Sequence, residues 1–125
     1  MNDLHHSYTM KENIIKHKSF DFALQIIKIY KVLSEQKKEY VMSKQLLRSG
    51  TAIGSLVAEA EHAESKMDFV HKMAIAQKEA NETLYRIDLL YKSDYITENE
   101  YTAITHPLVE IQKILTAIIT TSKKN

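Results

Sequence analysis

Leu46-Leu47-Arg48-Ser49-Gly50-Thr51-Ala52-Ile53-Gly54-Ser55-Leu56-Val57-Ala58-Glu59-Ala60 decides how the chain folds. Leu46, Ile53, Leu56, Val57 and Ala60 recur at the spacing of one helical face. Gly50, Gly54 and Ala58 run beside them, and residues four apart stack on one side of a helix. Each internal glycine costs about 1 kcal/mol relative to alanine in a helix. Two on one stripe imply a close neighbour, because a missing side chain lets a second helix axis approach. A phosphate-cradling loop is excluded, since the glycines lack Walker spacing and no Gly-Lys-Ser/Thr follows. Gly50, Gly54 and Ala58 are therefore read as helix-packing residues.

The rest of the chain extends this helical pattern. With 125 residues, two glycines and one proline, the sequence fits one all-α domain of long helices. It contains no cysteine, which excludes disulfides, zinc–thiolate sites and a thiol nucleophile. No run approaches about 18 unbroken apolar residues and no signal peptide is evident, so the expectation is a cytoplasmic protein with no membrane partner.

Residues 1–18 are expected to form a flexible N-terminal arm, followed by a four-helix bundle over 19–122. Ser19 is the expected cap of a first helix whose stripe is Phe22, Ile26, Ile29 or Tyr30, and Leu33. Phe20, Leu24 and Ile27 widen it, as for a helix contacting two neighbours. A second helix is expected from about Tyr40 to about Ala63. Ser65-Lys66-Met67-Asp68 opens a third, with Phe69, Met73, Ala76, Ala80, Leu84, Ile87 and Leu90 on its inner face. Thr97-Glu98-Asn99-Glu100 is a full capping box opening a fourth. Its stripe is Tyr101, Ile104, Leu108, Ile111, Leu115 and Ile118, with Ile114 and Ile119 available to another subunit. Pro107 either bends this helix or starts a new one capped by Thr105, and the end should fray from Thr120. Short connections make the bundle antiparallel, up-down-up-down.

From helix two onward the residues resemble a known family. Ser49-Gly50-Thr51-Ala52-Ile53-Gly54-Ser55, Val57, Glu59-Ala60, Ala63, Ser65 and Asp68-Phe69 match the signature of bacterial four helix bundle proteins. Lys72, Ile75-Ala76, Lys78-Glu79-Ala80-Asn81-Glu82-Thr83, Tyr85 and Leu89-Leu90 continue it. That family includes proteins encoded within intervening sequences of bacterial large-subunit ribosomal RNA, also labelled S23 ribosomal protein. It is related to the accessory protein of diversity-generating retroelements. The resemblance implies a homo-oligomer, specifically a pentamer, with RNA or DNA and a reverse transcriptase or other protein as partners. Where the family has Asn this chain has Leu56, which cannot make that residue's polar contacts.

Charge is uneven beneath a net +1. Residues 1–48 carry nine Lys/Arg against five Asp/Glu, whereas residues 49–110 carry five against eleven. Lys37, Lys38, Lys44 and Arg48 gather near the first connection, with Lys16, Lys18, Lys28 and Lys31 earlier in the chain. Each can set a cation beside a phosphate. Against this, Glu35 and Glu39 sit among the lysines, a solvated helix surface explains them without a ligand, and no aromatic-rich ribbon for stacking bases is evident. Partner binding through the bundle surface, without nucleic acid, is the other reading.

Catalysis has weaker support. Glu59-x-x-His62 and Asp68-x-x-His71 have the spacing of di-metal carboxylate bundles, but both flank one short turn. Neither other helix offers an obvious inward carboxylate there, so exposed helix-end charges are expected instead. Adjacent His5 and His6 lie in the arm, which offers no fixed geometry for a metal. No nucleophile elbow surrounds Ser49 or Ser55. The sequence predicts no enzyme, no cofactor and no metal centre.

Overall fold

The computed structural model describes residues 9–124. His5 and His6 lie outside the described residues. Helices α1 (Met10–Lys31), α2 (Met42–Glu61), α3 (Lys66–Lys92) and α4 (Glu98–Lys124) are present, and no strand occurs among the described residues. A π-helical turn, Val32–Gln36, continues the end of α1. The helices pack as a square in which each touches its neighbours in sequence and α4 closes onto α1. This is the expected antiparallel bundle.

The start of α1 differs from expectation. Thr9 caps it, accepting from the Glu12 backbone N–H at 3.1 Å. Residues 10–18 are thus helical, and Ser19 lies inside α1 with 1% exposure. Its hydroxyl donates to the Lys16 carbonyl at 3.3 Å, which satisfies a buried polar atom without a cap. Ser65 and Thr97 do cap as expected. Ser65 accepts from Asp68 N–H at 3.0 Å, while Thr97 and Glu100 exchange bonds of 3.1 and 2.7 Å. Thr105 starts no new helix: α4 runs through Pro107 to Lys124 without the expected fraying from Thr120.

The core combines Ile15, Phe22, Ile26 and Leu33 of the first helix and its π turn with Leu46, Ile53, Val57 and Ala60 of α2. Met73, Ala76, Ala80, Ile87 and Leu90 of α3 meet Ile104, Leu108, Ile111 and Leu115 of α4. Burying each larger side chain contributes about 1.5–3 kcal/mol before entropy is subtracted. Ile119 is buried and Ile114 packs against this core, so the bundle itself covers the α4 surface expected to face another subunit. Phe20 and Leu24 instead face outward, with 64% and 46% exposure. Leu56 is partly buried against the core.

The glycine stripe marks the α1–α2 crossing. A β-carbon on Gly50 would stand 2.8 Å from Ile26 Cγ1, and one on Gly54 would stand 3.2 Å from the Ser19 carbonyl oxygen. Both glycines therefore act as packing residues. Ala58 does not: it is exposed.

Candidate nucleic-acid interface at the first connection

The chain between α1 and α2 is fixed by its own backbone. Lys37 N–H reaches back five residues to the Val32 carbonyl at 3.1 Å, closing the π turn. Lys38 then adopts φ 57°, a left-handed conformation that reverses the chain. Glu39 N–H bonds the Leu33 carbonyl at 2.9 Å. The Glu39 carboxylate folds onto the start of α2, accepting from the N–H groups of Val41, Met42 and Ser43 at 3.2, 3.0 and 2.7 Å. Burial pushes the Glu39 carboxyl up, but the bonds from Met42, Ser43 and Val41 outweigh it and hold the group below its ordinary value. Ser43 Oγ donates to the Glu39 carbonyl at 2.6 Å. Glutamate thus takes the role that an N-cap residue usually fills.

Around this frame Lys37, Lys38 and Lys44 are exposed, and none enters an ion pair among the described residues. Lys28 and Lys31 on α1 share that condition. Arg48 is diverted: its Nη1 lies 3.6 Å from Glu79 Oε1 on α3. Lys16 pairs with Glu61 at 3.1 Å and Lys18 with Glu110 at 3.4 Å, so these two tie α1 to α2 and α4. Three of the four principal cations are therefore exposed and without an ion pair among the described residues.

Sequence reasoning missed Tyr40 and Val41. The pattern places both at the start of α2, yet both precede it, with 52% and 69% exposure. The signal was Glu39 with Ser43 four residues on, which closes the helix start after Tyr40 rather than before it.

At the opposite end of the bundle the carboxylates with metal-ligand spacing have other partners. Glu59 bonds Lys72 at 3.0 Å, and that bond with its charge raises the Lys72 ammonium above its ordinary value. Asp68 accepts from Glu64 N–H at 3.2 Å and its own N–H bonds the Ser65 cap. Among the described residues no group of three or more His, Asp or Glu side chains is placed to hold a metal ion. No described helix is long and apolar enough to cross a membrane.

The fold defines a small antiparallel four-helix bundle with a basic, backbone-locked first connection. The sequence model of the 23S rRNA-intervening sequence proteins matches residues 11–117. The chain belongs to that family. It is 50% identical to a protein of unknown function from the S23 ribosomal protein family of Bacteroides thetaiotaomicron, known by crystal structure. The match covers 89% of this chain and 99% of that one, with a TM-score of 0.88. No curated protein matches the chain.

Proposed function

We propose that the protein is a non-enzymatic, cytoplasmic, homo-oligomeric bundle that acts as a nucleic-acid-binding or ribonucleoprotein accessory. The observation that carries this reading is that Lys37 and Lys38 on a fixed connection and Lys44 in the first turn of α2 are exposed, with no carboxylate partner among the described residues. Unpaired cations release counterions from a phosphate backbone when they bind it, and a ring of subunits would repeat the cluster. The pentamer rests on the family resemblance alone, as does a reverse transcriptase or other protein partner. The family's name supports an RNA context.

The test is a binding titration with RNA and DNA at several salt concentrations, with sedimentation in parallel. Replacing Lys37, Lys38 and Lys44 with Gln lowers the salt slope by roughly 0.7–0.9 for each phosphate no longer neutralised. Helicity and assembly mass stay unchanged, because all three side chains are exposed. Wild-type protein that binds no nucleic acid, or binds it without salt dependence, overturns the reading.

A protein-binding scaffold is the second reading, favoured by Phe20 and Leu24, one turn apart on α1 and both exposed. Phe20→Gln with Leu24→Gln would then abolish self-association or partner capture and leave nucleic-acid affinity unchanged.

A further inference from the structure

Tyr40 gives the first connection a chemistry that the lysines alone lack. It is half exposed and lies in sequence between Lys37-Lys38 and Lys44, which make no ion pair among the described residues. An exposed aromatic ring near such ammonium groups along the chain matches a nucleotide, which offers a flat base and an anionic phosphate together. Only an unpaired base presents its face, since the bases of a duplex are stacked on one another.

Resting on the nucleic-acid reading above, we propose that the α1–α2 connection binds single-stranded nucleic acid, with Tyr40 stacking an unpaired base and Lys37, Lys38 and Lys44 holding the flanking phosphates. Two features of the connection support this choice over a purely electrostatic surface.

The first is rigidity. The bonds from Lys37 to Val32 and from Glu39 to Leu33, with three more onto the Glu39 carboxylate, fix the backbone on both sides of Tyr40. Little ordering entropy then remains to be lost on binding, so a single stacked base can contribute measurably. The second is the local charge. Glu39 would repel a phosphate if its carboxylate were open. It is instead buried and occupied by three N–H donors, so of the two glutamates near the connection only Glu35, on the π turn, is exposed among the lysines. Those N–H groups are also the ones an uncapped helix start would offer to an anion. With them engaged, phosphate attraction falls to the side chains.

The experiment uses full-length protein and two labelled RNA probes: a mixed-sequence single strand of about twelve nucleotides, and the same strand annealed to its complement. Fluorescence anisotropy is read for wild type, Tyr40→Ala, Tyr40→Phe and the Lys37→Gln/Lys38→Gln/Lys44→Gln triple variant. Far-UV circular dichroism checks that each variant keeps its helicity. Tyr40→Ala weakens single-strand binding about tenfold while duplex affinity changes less than about twofold and the salt slope holds. Tyr40→Phe retains wild-type affinity, because the ring face and not the hydroxyl makes the contact.

If Tyr40→Ala leaves the single strand unaffected, or weakens both probes equally, while the lysine variant weakens both, stacking is overturned and the electrostatic interface stands. If wild type binds neither probe, the interface and the stacking site fall together and the scaffold reading replaces them.

Discussion

The Ser19 carbonyl oxygen lies so close to Gly54 that a β-carbon there would approach it to 3.2 Å. Backbone cannot swing aside as a side-chain tip can. Two helical turns along α1, a β-carbon on Gly50 would come closer still to Ile26, 2.8 and 2.9 Å from its two branches. Alanine at Gly50 gains about 1 kcal/mol of helix propensity. Against this, overpacking a full core costs about 1–3 kcal/mol. Gly50→Ala is therefore destabilising in wild type, yet stabilising in an Ile26→Ala background where the clash is gone. Urea denaturation of the four proteins tests this change of sign. Gly54→Leu, aimed at backbone, lowers stability further than Gly50→Ala.

Acid stability should report on Glu39. Its folded carboxyl titrates below the ordinary value near 4.5, so its stabilising effect is fully present above that pH. The effect is lost as pH falls from about 4.5 through the folded value. Glu39→Gln lowers stability by about 0.5–2 kcal/mol at neutral pH, the loss of a charged cap. The variant's deficit shrinks as wild type is acidified across that window. Parallel stability–pH curves for the two proteins would refute the assignment.

Ser49 and Thr83 form a hydroxyl pair between α2 and α3, 3.0 Å apart and both fully buried. Thr83 Oγ1 also lies 2.7 Å from the Glu79 carbonyl oxygen. Thr83→Val keeps the shape and strands the Ser49 hydroxyl, a loss of about 1–3 kcal/mol. Adding Ser49→Ala removes the stranded group, so the double variant is more stable than Thr83→Val alone. A double-mutant cycle on thermal unfolding measures the difference.

Pro107 sits within an unbroken α4. It has no N–H for the Ala103 carbonyl, and Ala103 is exposed, so water can take that bond. Pro107→Ala restores the donor and raises stability by about 2 kcal/mol, the helix gain less the lost stiffening of the unfolded chain. A lower melting temperature would show that the ring itself packs usefully.

Much of this architecture was legible because it obeys short-range rules. Ser65 and Thr97 have their capping partners three residues away, and the Gly50–Gly54 stripe is visible at helical spacing. The start of α1 was not legible, because Ser19 resembles a cap while it actually fills the narrow space under Gly54. A small hydroxyl in that space depends on another helix, which local pattern cannot supply. At the candidate interface Lys37, Lys38 and Lys44 were legible as charge. Arg48 was not legible as partnered, since Glu79 lies on α3. Tyr40 was hidden because Glu39 is not a usual cap and periodicity carries straight through it.

The π turn also sets where α2 begins. Between Val32 and Lys37 the chain takes five residues to close a bond that ordinary helix closes in four. Adding or deleting one residue between Leu33 and Glu39 would disrupt the Lys37–Val32 and Glu39–Leu33 bonds that seat the start of α2. Gly50 and Gly54 would then lose their registration against Ile26 and Ser19. The length of the segment is therefore constrained, whereas its exposed side chains are free to differ in chemistry. Its charge and aromatic content can be retuned toward a different ligand with no geometric consequence for the bundle.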